Sequence, residues 1–169
     1  MSNSKEQKPK LLIIGHKRHG KDTMAEILKD NFDFTYKSSS SAAAEIFIYE
    51  ALKYKYNYKS IEQCFMDRVN HREEWFTLIC EYNKEDKLRL SKNILSNSDC
   101  YVGMRDYNEV EASKDLFDII VWVDASNRLP LEDASSITTT REQAHIVIEN
   151  NTDYKSFEEK IKRFGRLLY

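Results

Sequence analysis

The stretch that decides the fold is Leu11-Leu12-Ile13-Ile14-Gly15-His16-Lys17-Arg18-His19-Gly20-Lys21-Asp22-Thr23. Its first four residues form a short apolar run, which is typical of a strand buried on both faces of a parallel sheet. The residues that follow match G-x-x-x-x-G-K, the pattern of a phosphate-binding loop, which needs a strand before it and a helix after it. Helical spacing from Thr23 to Asp30 supplies that helix.

The residue types of this loop suit an anion. The chain has only four glycines, and two of them let the loop backbone curl so that its N–H groups point at phosphate oxygens. The start of the following helix adds a partial positive charge. Lys21, the predicted catalytic lysine, reaches the β- and γ-phosphates as a compact cation. The predicted nucleotide-binding residues are Gly15, His16, Lys17, Arg18, His19, Gly20, Lys21, Asp22 and Thr23.

Asp22 occupies the position at which the general pattern has Ser or Thr, whose hydroxyl ligates Mg²⁺. A carboxylate is also a hard oxygen ligand for Mg²⁺. Asp22 is therefore the predicted metal ligand, directly or through water, while Thr23 contacts a phosphate. The alternative is an ordinary first-turn aspartate that interacts with the helix dipole.

Length and composition restrict the class of protein. The 169 residues favour a single domain over 1–169, and 26 basic against 28 acidic residues leave a net charge of −2. No global basic field exists for nucleic acid, and no apolar run approaches the roughly 18–20 residues that span a bilayer. Three cysteines without a C-x-x-C pair, and no apolar signal core, fit a reducing cytoplasm. We expect a small-molecule partner, neither nucleic acid nor membrane.

Strand and helix patterns alternate along the chain, which predicts an α/β fold of the three-layer P-loop NTPase type, with a five-stranded parallel sheet and helices on both faces. Residues 1–9 are predicted to be a disordered tail. The predicted strands are Leu11–Ile14, Phe32–Tyr36, Tyr101–Met104, Ile119–Val123 and Ile146–Ile148. The predicted helical stretches are Thr23–Asp30, Ala42–Tyr54, Ser60–Tyr82, Lys84–Ser96, Glu109–Phe117 and Tyr154–Arg166.

Arginines mark a second part of the site. Arg68 and Arg72 are four residues apart, so they are predicted to share a helix face, where like charges repel unless an anion bridges them. An acceptor phosphate is such an anion, which makes the helical region, about 42–97, the predicted acceptor-binding part. The alternative is a solvated face on which the two arginines pair with Asp67, Glu73 and Glu74.

Further candidates follow the later strands. Arg105 comes directly after the third strand, where residues of open α/β sheets point into the ligand crevice, and Asp106 is placed to assist the metal or orient Arg105. Arg128 and Arg141 flank a polar segment, about 127–141, that is predicted to be a short lid excluding water from the reaction. The alternative is a plain solvated loop. Ser40 is a predicted hydrogen-bonding contact to the acceptor.

With these residues identified, the chain resembles the phage-type deoxynucleoside monophosphate kinases, P-loop kinases related to adenylate and thymidylate kinases. The resemblance extends from about Lys10 to Phe164. The GKDT ending of the loop departs from the general GKS or GKT pattern but is normal for this group. The resemblance rests on the segments Gly15–Thr23, Ser40–Glu45, Asp67–Trp75, Tyr101–Asp106, Trp122–Ser126 with Arg128, and Ile146–Asn150.

The resemblance implies a reaction in which ATP, with Mg²⁺, phosphorylates a (deoxy)nucleoside monophosphate to the diphosphate for DNA precursor synthesis. It places Lys21 on the ATP phosphates, Arg105 between donor and acceptor, and Arg128 on the lid side as catalytic residues. Arg68 and Arg72 would bind the acceptor phosphate, and Asn150 would lie near the adenine. Such kinases occur as monomers and homodimers, and a phage-encoded enzyme would act in the host cytoplasm.

Two other functions stay open at this point. A P-loop kinase for another small phosphorylated or hydroxyl acceptor, such as dephospho-coenzyme A, would share the sheet and the arginines. A non-catalytic nucleotide-binding protein with a regulatory or assembly role would need the loop alone. The arginines at the ends of different strands favour an enzyme, because a protein that only binds a nucleotide does not need them.

Overall fold

The apolar run of the opening stretch becomes the central strand, β1 (Leu11–Ile14), with all four residues buried. It pairs in parallel with β3 (Cys100–Val102) on one side and β4 (Ile119–Asp124) on the other. The outer strands are β2 (Tyr36–Ser38), beside β3, and β5 (Ile146–Glu149), beside β4, in the order β2-β3-β1-β4-β5. The predicted five-stranded parallel sheet is confirmed.

The computed structural model describes residues 7–169, so residues 1–6 of the predicted tail lie outside the described residues. A π-helical turn joins α2 to α3, and none of the helices described is both long and apolar enough to cross a membrane. The helices are α1 (Lys21–Phe32), α2 (Ser39–Ala43), α3 (Tyr49–Leu52), α4 (Ile61–Asp67), α5 (Arg72–Tyr82), α6 (Arg89–Leu95), α7 (Tyr107–Ser113) and α8 (Tyr154–Arg166). The 3₁₀ turns are Arg68–Asn70, Lys114–Leu116 and Arg141–Gln143.

Helices cover both faces of the sheet, because alternate residues of β1 enter two separate cores. Leu11 and Ile13 pack in a cluster with α1 and α8. Leu12 and Ile14 face the opposite cluster, to which α2 to α7 contribute buried side chains. Burial on both faces explains why the inner strands read as continuous apolar runs rather than alternating ones. The three-layer arrangement predicted from the sequence is confirmed.

The second strand lies later in the chain than predicted. Phe32 is the last residue of α1, and Asp33 then ends that helix in the left-handed conformation with φ 55°. Phe34 is buried in the cluster of α1 and α8. The prediction of a strand over Phe32–Tyr36 was wrong in its bounds, because these aromatic side chains pack between helix and sheet and pairing starts at Tyr36.

The predicted helical stretch Ser60–Tyr82 is broken between α4 and α5. The carboxylate of Asp67 accepts hydrogen bonds from the Tyr58 hydroxyl at 2.6 Å and from the Asn70 side-chain amide at 2.7 Å. The same carboxylate lies 3.0 Å from Nε2 of His71, whose backbone (φ −132°, ψ 33°) leaves the helical region. These local bonds favour a turn over continuation of the helix.

The break changes the setting of two predicted site residues. Arg68 opens the 3₁₀ turn, whereas Arg72 is the first residue of α5. The prediction that they share one helix face was therefore wrong.

Helix α6 begins later than predicted, at Arg89. Helix α7 begins earlier, because Asp106 caps it by accepting the Asn108 N–H at 3.2 Å.

Candidate active site

The loop between β1 and α1 takes a shape that two glycines make possible. Gly15 has φ +144° and Gly20 has φ +113°, conformations that side-chain-bearing residues rarely adopt. A Cβ atom on Gly15 would lie 2.5 Å from the carbonyl oxygen of Val123, and one on Gly20 would lie 2.7 Å from Nδ2 of Asn150. The glycines therefore let the loop pack directly against the ends of β4 and β5.

Lys21 is the first residue of α1 and is buried at the edge of the loop. Its ammonium donates a hydrogen bond to the carbonyl oxygen of His16 at 2.7 Å. Burial lowers the pKa of Lys21 to about 8, and the nearby Arg105 acts in the same direction, while Asp22 and Glu132 oppose it. A bound polyanion would stabilise the charged form of this lysine, as a phosphate-binding role requires.

The two loop histidines hold the segment after β4 against the loop. Nδ1 of the buried His19 accepts the Ala125 N–H at 3.0 Å, and its Nε2 lies 3.2 Å from the carbonyl oxygen of Pro130. Nδ1 of His16 accepts the N–H of Glu132 at 3.0 Å. Burial lowers the pKa of His16, which keeps the acceptor nitrogen available. The predicted contact of these histidines with a nucleotide stays a prediction.

Glu132 lies over the loop, and sequence reasoning did not single it out. Its carboxylate accepts the Lys17 N–H at 2.6 Å and a hydrogen bond from Arg105 Nη1 at 2.8 Å, and it lies 3.8 Å from Arg72 Nη1. The side chain is only 8% exposed. Burial raises the pKa of Glu132, but Arg105 and the Lys17 N–H outweigh it, so the pKa lies below its ordinary value.

A cavity of about 890 Å³ opens beside the loop. Among the described residues that line it, Asp22 is the single acidic one. The basic residues come from the loop, from α1 and β2, from the break between α4 and α5, and from the end of β3: Lys17, Arg18, Lys21, Lys29, Lys37, Arg68, Arg72 and Arg105. The remaining wall is mainly aromatic or hydroxylic and includes Phe34, Tyr36, Phe65 and Ser38–Ser41, with the predicted contact Ser40 among them.

The two arginines of the helix break meet in this cavity although they do not share a helix. The Arg68 guanidinium lies 3.7 Å from the Phe65 ring centroid, and Nη1 donates to the Phe65 carbonyl at 2.8 Å. The Nε atom of Arg72 is buried and has no hydrogen-bond partner in the described part of the chain. Burial lowers the pKa of both groups. Within residues 7–169, neither arginine forms the ion pairs that a solvated face predicts with Asp67, Glu73 or Glu74.

Other predicted site residues lie away from the cavity. Arg128 donates from Nε to the carbonyl oxygen of Asn150 at 2.6 Å, and Asn150 donates from Nδ2 to the His19 carbonyl at 2.9 Å. Arg141 lies 4.0 Å from the Asp124 carboxylate. The carboxylate of Asp106 caps α7 and does not line the cavity. The catalytic role of Arg128 stays a prediction, as does the role of Asp106 at the substrate-binding site, where it would assist the metal or orient Arg105.

The segment between β4 and β5 is fastened to the rest of the site at two places. Its first part is bonded to the loop histidines. Its later part is bonded to the residue after β3, since the N–H groups of Thr138 and Thr139 donate to the Arg105 carbonyl at 2.8 and 3.1 Å. Arg105 also donates to the carbonyl of Ser136 at 3.2 Å. This segment therefore contacts both the loop and Arg105, and its role as a lid stays a prediction.

The donor set at Asp22 fits Mg²⁺ held together with a nucleotide. Asp22 is an exposed carboxylate next to Lys21 at the cavity wall. Magnesium typically binds through one or two carboxylates, water and substrate phosphates rather than in an all-protein cage. When bound, the ion would neutralise charge on the transferring phosphate. Asp22 itself would contribute a hard oxygen ligand at the start of α1.

Comparison with known proteins identifies the fold. No protein-family model and no curated protein matches the chain. The crystal structure of TT1252 from Thermus thermophilus matches with a TM-score of 0.52 and 16% identity, covering 96% of this chain and 100% of that one. A gluconokinase from Sinorhizobium meliloti has a TM-score of 0.49 and 11% identity over 95% of each chain. A shikimate kinase from Aquifex aeolicus has a TM-score of 0.46 and 11% identity, covering 94% of this chain and 98% of that one. At these identities the likeness to TT1252 shows a shared fold alone.

Proposed function

We propose that this protein is a phosphotransferase that moves the terminal phosphoryl group of ATP to a (deoxy)nucleoside monophosphate. One observation carries the proposal: Lys21, Arg68, Arg72 and Arg105 line a single cavity next to the phosphate loop. Phosphoryl transfer requires neutralisation of charge on the donor, on the transferring group and on the acceptor. Four cations from three parts of the chain meet that requirement.

The surplus of positive charge favours an acceptor that is itself phosphorylated. A neutral hydroxyl acceptor would leave Arg68 without an anion among the described residues, and Arg72 with only the Glu132 carboxylate at 3.8 Å. The buried Nε of Arg72 has no partner in the described residues, and an unmade hydrogen bond of this kind costs about 1–3 kcal/mol. An oxygen of the acceptor phosphate would satisfy it.

The rest of the wall suits a nucleoside. The cavity of about 890 Å³ lies within the range of roughly 300–1,000 Å³ that small-molecule sites occupy. Tyr36 and Phe65 line it with partly exposed rings, and bases stack on such rings without strong sequence preference. The hydroxyls of Ser40 and Ser41 are available to the sugar and phosphate. Those of Ser38 and Ser39 are already bonded to the Ser41 N–H and the Gly103 carbonyl.

In this proposal each element of the site has one task. The loop amides and Lys21 bind the ATP phosphates, and Asp22 holds Mg²⁺ against them. Arg105 lies between donor and acceptor, and Arg68 and Arg72 bind the acceptor phosphate. Arg128 and Asn150, which are hydrogen-bonded to each other, lie on the side of the adenine. The product is a nucleoside diphosphate, a precursor of DNA when the sugar is deoxyribose.

The test is release of ADP from ATP and Mg²⁺ with each of dAMP, dGMP, dCMP, dTMP and the matching ribonucleotides. Dephospho-coenzyme A, gluconate and shikimate form the comparison set of other acceptors. Stimulation confined to certain monophosphates is the expected result. If only dephospho-coenzyme A stimulates ADP release, it is the acceptor instead of a nucleoside monophosphate. If only gluconate or shikimate does so, the acceptor is not phosphorylated and the proposal is contradicted. ATP binding without turnover on any acceptor would favour a non-catalytic nucleotide-binding protein.

A further inference from the structure

The partners of Glu132 are the groups expected around a phosphoryl oxygen. Its carboxylate takes a loop N–H from Lys17 at 2.6 Å and a guanidinium N–H from Arg105 at 2.8 Å, with Arg72 at 3.8 Å. Backbone N–H groups and guanidinium groups bind phosphate and carboxylate in the same geometry. Glu132 therefore satisfies donors that would otherwise be available to an anionic ligand.

The location of these partners identifies which phosphate position is involved. Lys17, Arg72 and Arg105 all line the cavity that we assign to the acceptor. The carboxylate is thus bonded both to the phosphate loop and to an arginine of the acceptor cavity, the two parts of the site between which a phosphoryl group is transferred in the proposed reaction. The loop amides and the start of α1 would bind the α- and β-phosphates of a nucleotide, and Lys21 would reach its β- and γ-phosphates.

A second anion at this position excludes the first. The carboxylate is nine-tenths buried, and within the described residues it uses the Lys17 N–H and one N–H of Arg105. A phosphoryl oxygen cannot accept from those same donors while the carboxylate holds them, and two neighbouring anions repel more strongly where water is excluded. Binding of a triphosphate therefore requires the carboxylate to withdraw.

We propose that Glu132 is a tethered competitor of the transferring phosphoryl group, which occupies that subsite in the free protein and is displaced when ATP binds. The inference rests on the proposed function, because it takes the loop as the donor site. It deepens that function because it assigns to Glu132 the control of how tightly a nucleoside triphosphate binds relative to the diphosphate.

The bonds that hold the segment in place do not use the Glu132 carboxylate. The backbone N–H of Glu132 is bonded to His16, and the chain on either side is bonded to His19 and to the Arg105 carbonyl. Displacement of the carboxylate breaks its side-chain bonds to Lys17 and Arg105 and leaves these backbone bonds in place. A role as general base does not fit, because Arg105 and the Lys17 N–H hold the pKa of this carboxyl below its ordinary value and a monophosphate oxygen needs no deprotonation.

The experiment measures the dissociation constants of ATP and ADP by titration calorimetry for the full chain and three variants. Glu132→Gln removes the charge. Glu132→Asp keeps the charge but shortens the side chain by one methylene. It therefore separates the effect of a carboxylate that occupies the subsite from the effect of a negative charge nearby. Glu142→Gln is the matched control, since Glu142 is an exposed glutamate on the same connection between β4 and β5.

We expect Glu132→Gln to bind ATP about tenfold more tightly than the natural chain, with ADP affinity changed by less than about threefold. Glu132→Asp should change in the same direction. Glu142→Gln should leave both constants within about twofold. A thermal unfolding curve for each variant checks that it is folded, and either Glu132 variant alone suffices if the other unfolds.

Unchanged or weaker ATP binding by the folded Glu132 variants would overturn the proposal and make Glu132 a positioning residue for Arg105. An equal gain in Glu142→Gln would overturn it too, because net charge would then explain the effect. If the natural chain binds both ATP and ADP but the Glu132 variants gain no affinity for ATP over ADP, the inference about Glu132 fails and the proposed function stands. If it binds neither ATP nor ADP, the proposed function fails with it.

Discussion

The phosphate loop and the acceptor wall of the cavity are built in different ways. The loop is nine consecutive residues, 15–23, and its anion-binding groups are backbone N–H groups and Lys21. The acceptor wall, which we define as Ser38–Ser41 with Arg68, Arg72 and Arg105, comes from three separate parts of the chain. A site formed by backbone N–H groups depends on the φ angles of the loop and on how closely other parts of the chain approach it. A site formed by side chains depends on contacts between residues far apart in sequence, which orient each group.

The contrast extends to how each region is held. The loop is fastened by glycine contacts with Val123 and Asn150. The acceptor wall relies on the bonds of Asp67, which hold the turn that carries Arg68. We therefore expect damage to the loop to affect the fold or the whole reaction, and damage to the wall to affect the acceptor alone.

The largest effect is expected from Lys21→Ala. Loss of the buried ammonium removes the side-chain cation on the donor phosphates, and kcat should fall by about 10³ or more. The fold should survive, because Lys21 lies at the edge of the cavity rather than in either apolar cluster. ADP release with an accepted monophosphate is the measurement, with Lys155→Ala on the exposed start of α8 as control. Activity within a few-fold of the natural chain would contradict the donor role of the loop.

The second prediction compares two glycines with positive φ. Gly15→Ala should lower the free energy of unfolding by about 3 kcal/mol, because the new Cβ meets the Val123 carbonyl oxygen at 2.5 Å. Gly103→Ala should cost only about 1 kcal/mol, because the new Cβ would lie 3.4 Å from its nearest neighbour, Ser39 Oγ, and backbone strain is the main penalty. Urea unfolding of both variants measures the difference. Equal losses would mean that close approach of the chain is unimportant at Gly15.

The third prediction separates the two sides of the site. Arg72→Ala should raise the acceptor KM by about 30-fold, with the ATP KM changed by less than about threefold. Arg128→Ala is the comparison, since Arg128 lies outside the cavity and bonds the Asn150 carbonyl at 2.6 Å. Its effect should fall on ATP instead. Steady-state kinetics with each substrate varied gives both constants, and an Arg72 effect confined to ATP would refute the acceptor assignment.

The smallest effect is a pH dependence of ATP binding. Burial lowers the pKa of Lys21 to about 8 in the free protein. The lysine is charged below that pH and neutral above it, so ATP must bind with proton uptake at higher pH. The kcat/KM for ATP should fall by about tenfold for each pH unit above 8. Calorimetry at pH 8.5 in buffers of different ionisation enthalpy should detect the proton uptake, and Lys21→Ala should abolish it.

Prediction from the sequence succeeded where the signal was local. The strand, loop and helix around Gly15–Thr23 follow from neighbouring residues, and the continuous apolar runs identified β1 and β4 because these strands are buried on both faces. It failed at Phe32–Tyr36, where aromatic residues suit helix packing as well as a strand. It also failed at Ser60–Tyr82, where the bonds of Asp67 interrupt the helical pattern.

The amino-acid sequence by itself determined the sheet, the phosphate loop and the residue types available to the site. These features depend on apolar runs and on glycine spacing, and both are set by residues close together in sequence. Only the tertiary structure decided which charges meet. It brought Arg68 and Arg72 into one cavity without a shared helix, placed Arg128 outside that cavity, and set Glu132 against Lys17 and Arg105. The physical reason is that an ion pair between residues 27 or more apart depends on where the chain returns, which no local pattern encodes.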